Sequence, residues 1–183
     1  PKVEALLILG DFFDYWLGDS AMSEFHQNIA EAISKLSIPV FFLPGNRDFL
    51  PAKKWLKLAN IQPLKAIDHV LVGRKKVTLM HGDELCTNDH AYQSFKQEVR
   101  QSAWIEQFLQ KPLSDRQEIA EGLRQASREA QANRPEAIGD AVSSEIELWM
   151  TRYSAAVLVH GHTHRPAIQP TKNGLRAVTS DWG

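Results

Sequence analysis

Cysteine is almost missing from this sequence. Cys86 stands alone among 183 residues, so no disulfide can close within the chain and no cluster of thiolates can hold a metal. A chain that works without disulfides suits a reducing compartment, and the cytoplasm is the expected one. Net charge is nearly missing too: 21 basic residues face 22 acidic ones, for a balance of −1. With no basic stripe and no interleaved aromatics, nucleic acid is not an expected partner. No apolar run approaches the roughly 20 residues that span a bilayer, so any membrane contact is expected to be peripheral. Internal repeats, low-complexity tracts and linkers are absent as well. With 43% hydrophobic and 23% charged residues, the chain reads as one ordinary globular domain with a proper core.

What the chain does have is one event repeated at four places. Ala5-Leu6-Leu7-Ile8-Leu9 stops at Gly10-Asp11, with Asp14 close behind, and Val40-Phe41-Phe42-Leu43 precedes Gly45-Asn46-Arg47-Asp48. Val77-Thr78-Leu79-Met80 precedes His81-Gly82-Asp83, and Ala156-Val157-Leu158-Val159 precedes His160-Gly161-His162-Thr163-His164. Short apolar runs of this kind read as strands buried on both faces. Each delivers Asp, Asn or His beside a glycine at a strand's carboxyl end, where sheets of α/β type place their ligands. Gly10 lets the backbone turn tightly, so that Asp11 points into that crevice. Asp11, Asn46, His81, His162 and His164 offer oxygen and imidazole donors, a set suited to Mn²⁺, Fe²⁺ or Zn²⁺ rather than Ca²⁺. Two such ions about 3.5–4 Å apart would clamp the attacking and leaving oxygens of a phosphoryl displacement. A bridging carboxylate keeps ions that close, and Asp11 is the expected bridge. His26, His69 and His90 have no such company and read as ordinary hydrogen-bonded residues.

Between these motifs the spacing predicts a helix from about Ser23, its N-cap, with Phe25, Ile29, Ile33 and Leu36 as a core-facing stripe. A short helix follows Pro51 with Trp55, Leu56 and Ala59 inward. Residues 69–80 read as a hairpin turning over Gly73-Arg74-Lys75-Lys76. From Asn88 to Arg152 the pattern is helical, with one break at Lys111-Pro112. Residues 89–135 of that block are expected to be an inserted helical cap on a core made of 1–88 and 136–183. Its last helix, with Ile138, Val142, Ile146 and Trp149, is expected to cover the sheet. Leu175 to Thr179 reads as a further strand. Because the chain enters a buried strand almost at once, a preceding strand is expected upstream of Pro1.

Gly10-Asp11 with Asp14, Gly45-Asn46, His81-Gly82-Asp83 and Gly161-His162-Thr163-His164 resemble, in the same order and over most of the chain, the motifs of the calcineurin-like metallophosphoesterase family. The resemblance implies an α/β fold, in detail an α+β four-layer αββα sandwich, with the helical cap inserted. It implies that Asp11 bridges two metal ions, that Asn46, His81 and His162 complete one of them, and that His164 serves the other. Asp11, Asn46, Arg47 and His81 would carry the catalysis. Longer matches, among them Gly10 to Asp19, Gly45 to Leu50, Met80 to Asp89 and His160 to Pro166, resemble the branch of that family that hydrolyses the pyrophosphate of UDP-2,3-diacylglucosamine in bacterial lipid A biosynthesis. Arg47 stands where that branch carries Arg and most relatives carry His.

By this resemblance Asn46, Arg47, Asp89, Tyr92, Arg124, Ser127, Gln131, Arg134 and His162 bind the substrate, with Gln131 in place of the branch's usual Asn. The resemblance implies two divalent ions, Mn²⁺ being the expected one, and a protein of the cytoplasm held peripherally on the inner membrane. The apolar cap helices would either offer a groove to the acyl chains or bury their own stripe as a plain hairpin. The family's Asp-x-His motif is expected upstream of Ala5 and is not in this chain. That leaves open two rival readings, a phosphoesterase for soluble nucleotides and a catalytically incomplete phosphate-binding domain.

Overall fold

The computed structural model describes residues 3–180 apart from 134 and 135, and the side chains of 131–133, 136 and 137 also stand outside the description. Strand β1 (Leu6–Leu9) lies parallel to β2 (Val40–Leu43), and β2 lies parallel to β3 (Ile61–Pro63), in one three-stranded sheet. A five-stranded sheet runs in the order β4 (Ile67–Val72), β5 (Lys75–Met80), β6 (Val157–His160), β8 (Leu175–Val178) and β7 (Ala167–Pro170). In it β5, β6 and β8 are parallel, while β4 and β7 are antiparallel edges. The helices are α1 (Glu24–Ser34), α2 (Lys53–Leu58), α3 (His90–Val99), α4 (Ser102–Gln110), α5 (Leu113–Asn133) and α6 (Ser143–Tyr153).

Alternation along each strand sends its apolar side chains both ways. Ile8, Val40 and Phe42 join Ala30 of α1 and Trp55 of α2 in one cluster. Leu7, Leu9 and Leu43 point to the other side and meet Val77, Leu79, Val157 and Val159 of the second sheet. On that sheet's far side Met80 and Leu158 pack on Ile146 and Met150 of α6. The layers are therefore helix, sheet, sheet and helix, the sandwich that the resemblance implied.

Several local expectations shift. Phe25 and Leu36 are 63% and 45% exposed, whereas Ala30 is fully buried. Ile29 and Ile33 still pack inward, so the buried face of α1 is rotated toward Ala30, and Leu36 lies past the helix end. The hairpin turns over two residues rather than four: Lys75 pairs with Val72, and Gly73 takes φ 61°, the left-handed value such a turn needs. Helix α6 starts at Ser143, leaving Ile138 in a 3-10 turn and Val142 as an extended N-cap. The helical block also breaks at Arg100-Gln101, and the short edge strand β7 has no counterpart in the sequence reading.

Part of the apolar stripe expected of a cap joins the core. Trp104, Ile105, Phe108 and Leu109 of α4, with Ile119 and Ala120 of α5, pack into the cluster that holds Phe13, Trp16 and Leu17. The core itself takes that apolar surface. Arg116, only 5% exposed, adds a polar lock from α5: Nη1 donates to the Leu17 carbonyl (2.6 Å) and Nη2 to Ser20 Oγ (3.1 Å).

Candidate metal centre

The loops after β1, β2, β5 and β6 converge. Gly10 (φ 81°) and Gly45 approach so closely that a side chain on either would run into the other's loop. That approach brings Asp11 against the Asn46 loop. Asp11, His162 and His164 hold left-handed backbone angles of 53°, 62° and 52°. For residues other than glycine such angles cost on the order of 1–3 kcal/mol each and cluster at functional positions.

Asn46 Oδ1 lies 2.8 Å from His81 Nε2 and 3.0 Å from His162 Nδ1, and the two ring nitrogens are 3.2 Å apart. Asp11 Oδ2 is 3.6 Å from His81 Nε2, and the ligand atoms of Asp11, His81 and His162 all fall within 4.8 Å of one another. His81 Nδ1, 2.8 Å from the Leu9 carbonyl, donates there, which fixes the ring and turns Nε2 toward the cluster. Burial, and then neighbouring His81, push His162 down to about 3, so the His162 ring is neutral near pH 7. One carboxylate, one amide oxygen and two imidazoles thus point at one place, and a single divalent ion fits that donor set. His164 lines the same cleft of about 730 Å³ but is exposed and stands outside the group.

Sequence reasoning gave no role to Asp48, which holds much of this geometry. Asp48, 2% exposed, accepts the amides of Asp11 (3.1 Å) and Gly45 (2.8 Å) on Oδ1 and that of Phe12 (2.7 Å) on Oδ2. Burial and then the charge of Asp11 raise the Asp48 carboxyl, against the pull of those three amides. Arg47 donates its own amide to Asp11 Oδ1 (2.9 Å) and sets Nε 3.4 Å from Asp11 Oδ2.

A second support lies at Asp83, which is fully buried and takes the Tyr92 hydroxyl (2.5 Å) and the Lys96 ammonium (2.9 Å) on Oδ2. Burial works to raise Asp83, but Lys96 and then His81 outweigh it and hold the carboxyl well below its usual range. Burial and then Asp83 push the Tyr92 hydroxyl up, so it stays a donor. Its ring lies against His162, with centroids 5.8 Å apart. The i, i+4 spacing of Tyr92 and Lys96 was the available signal, since it puts both on one face of α3. His160, buried and pushed down to about 4 chiefly by that burial, accepts from Arg176 Nε (2.9 Å) and steadies the start of the His162 loop.

The other sequence-predicted residues lie around α3 and along α5. Asp89 caps α3 by accepting the Tyr92 amide (3.1 Å). Arg124 reaches across to Asp14 (2.6 Å), and Ser127 is exposed one turn further along α5. Arg134 lies outside the described residues, as does the side chain of Gln131. His26 Nδ1 accepts the Ser23 amide (3.2 Å), and His69 Nδ1 meets Thr78 Oγ1 (3.1 Å), which are ordinary hydrogen bonds.

The calcineurin-like phosphoesterase profile matches residues 1–166. A UDP-2,3-diacylglucosamine hydrolase of Aromatoleum aromaticum is 37% identical over 188 residues, covering 99% of this chain and 77% of its own. A protein of the same name from Xanthomonas campestris pv. campestris is 37% identical over 196 residues, covering 100% of this chain and 79% of its own. Another, from Pseudomonas putida, is 40% identical over 188 residues, covering 98% and 78%.

Proposed function

The chain belongs to the calcineurin-like phosphoesterase family, and we propose that it hydrolyses the pyrophosphate bond of UDP-2,3-diacylglucosamine to UMP and 2,3-diacylglucosamine 1-phosphate, a step of lipid A biosynthesis. The observation that carries this reading is the meeting of Asp11, Asn46, His81 and His162 with the Arg47 guanidinium set 3.4 Å from Asp11. An ion seat with a planar cation beside it suits a phosphate ester. The 37% and 40% identities to UDP-2,3-diacylglucosamine hydrolases support the choice of substrate.

Two divalent ions, with Mn²⁺ preferred, complete the proposal: Asp11, Asn46, His81 and His162 would hold one, and Asp11 and His164 would contribute to the other. Bound there, such ions would supply Lewis acidity to phosphoryl oxygens and would lower the pKa of water toward neutrality. The side chains supply orientation. The Leu9 hydrogen bond fixes the His81 ring, Asp48 ties Asp11 to the Asn46 loop, and Arg47 sets a fixed cation against the phosphoryl oxygens. Toward the cap, proposed as residues 89–135, the substrate contacts would be Asp89, Tyr92, Arg124, Ser127, Gln131 and Arg134. Among the described residues no helix is long and apolar enough to cross a membrane. The two acyl chains of the substrate favour a cytoplasmic protein held peripherally at the inner membrane.

The test is UMP release from UDP-2,3-diacylglucosamine in mixed micelles, with and without Mn²⁺, beside soluble dinucleoside polyphosphates. Metal-dependent turnover of the lipid that requires detergent is the expected result. Faster turnover of the soluble nucleotides, indifferent to detergent, would replace this reading with a soluble-nucleotide phosphoesterase.

A further inference from the structure

Two guanidinium groups face one exposed carboxylate at the mouth of the centre. Asp14 Oδ1 lies 2.6 Å from Arg124 Nη1, on cap helix α5, and 3.5 Å from Arg47 Nη1, on the β2 loop. Arg124 Nη1 also donates to the Asp14 carbonyl (3.1 Å), and Arg47 Nε sits 3.4 Å from Asp11 Oδ2. Residue 14 therefore tethers an arginine from each side of the molecule. The hydrogen bond from Arg124, opposed by a lesser effect of burial and joined by the charges of Arg124, Arg47 and Arg128, keeps Asp14 below its usual range. It is an anion at neutral pH.

Two like charges would otherwise spread apart, and a long arginine left loose must be ordered by whatever ligand it binds. Asp14 engages only Nη1 of each guanidinium. For Nη2 of both, and Nε of Arg124, the described residues supply no hydrogen bond or ion pair, which leaves those donors for a second anion. We infer that Asp14 is a positioning residue: an internal counter-ion that holds Arg47 and Arg124 together as a ready seat for a ligand with two consecutive phosphoryl groups, and so favours pyrophosphate diesters over single phosphodiesters. The inference rests on reading the neighbouring cleft as a phosphoester site.

Asp14→Ala and Asp14→Glu would be assayed on UDP-2,3-diacylglucosamine and on bis-p-nitrophenyl phosphate, and inorganic pyrophosphate and inorganic phosphate would be titrated calorimetrically into the same proteins. Asp14→Ala should raise KM for the pyrophosphate substrate about three- to tenfold, as expected for one long side chain left to be ordered, while kcat changes less. It should lower the preference for the UDP-lipid over the small diester and for pyrophosphate over phosphate by a similar factor, and Asp14→Glu should restore most of both. If the wild type turns over the lipid and Asp14→Ala does so with unchanged KM, or loses both substrates alike, the inference is overturned while the proposed function stands. If the wild type ignores the lipid but its preference for pyrophosphate over phosphate still falls in Asp14→Ala, the substrate assignment fails and Asp14 keeps its role.

Discussion

Replacing Asp48 by asparagine changes one atom in the tie between the β1 and β2 loops. Oδ1 of Asp48 serves the amides of Asp11 and Gly45, and Oδ2 serves that of Phe12. An asparagine that keeps its oxygen on the first two turns its NH₂ toward the Phe12 N–H, donor against donor; flipped, it abandons two amides instead of one. The cheaper choice leaves one buried amide unmet, at about 1–3 kcal/mol. Against that loss, a neutral side chain is easier to bury and Asp11 is relieved of a like-charged neighbour, the two causes that raise Asp48. A net loss toward the low end, about 1 kcal/mol, lowers Tm of the metal-free chain by about 2–4 °C. The larger effect falls on the ion, because partners that orient ligands are worth about 10–100-fold in metal affinity. The sign with pH follows from the raised carboxyl. Such a group contributes stability fully below its unfolded value, about 3.9, and loses it as pH rises through the folded one. The deficit of Asp48→Asn should therefore be smallest at neutral pH and widen toward pH 4. Calorimetric melting between pH 4 and 7, with Mn²⁺ titration at pH 7, measures both. Wild-type Tm together with wild-type Mn²⁺ affinity would refute the claim that Asp48 holds the loops.

Asp11→Ala should cost more UDP-lipid turnover than any other single ligand change, because Asp11 is the one residue proposed to touch both ions; near-normal turnover beside an inactive His81→Ala would remove it from that role. Lys96→Met strands the buried Asp83 charge, and about 3–5 kcal/mol of stability should go with it. Asp83 is held low, so its contribution is present above the unfolded value and lost as pH falls through the folded one; the deficit of Lys96→Met should be full at pH 7 and shrink in acid melts, and a deficit independent of pH would contradict the pairing. Arg47→Lys should keep Mn²⁺ affinity and lose about tenfold or more in kcat/KM, the value of one charged hydrogen bond, and an unchanged kcat/KM would show that only the charge matters.

The layered fold is legible because its strands are apolar on both faces and each face finds a partner. Leu7 and Leu9 meet the second sheet while Ile8 meets the helices. Helix faces are less legible. The stripe of α1 names Phe25, but the neighbouring sheet decides which side presses inward, and it selects Ala30, whose lack of bulk lets the backbone come close. The fate of the cap stripe is settled by contacts between positions far apart in the chain. Arg116 and Leu17 are 99 residues apart, and nothing local to α5 announces that pairing.

At the centre, ligands and ties differ in how they write themselves into the chain. The proposed ligands are Asp, Asn or His just past strand ends, so Asp11, Asn46, His81, His162 and His164 stand out in the sequence pattern, although the structure leaves His164 outside the group of the others. A tie has no such restriction on its partners. Asp48 binds main-chain amides, which every residue owns, and two of them lie 36 and 37 positions away. Its carboxylate therefore looks like any other acid until the loops are folded. The same holds for Asp83, whose value depends on Tyr92 and Lys96 arriving on a helix from the cap. This division has a physical consequence for the two kinds of substitution. Losing a proposed ligand should lower affinity for the ion first of all. Losing a tie leaves every ligand atom present and spends the damage on the left-handed turn at Asp11, whose strain only its neighbours hold in place.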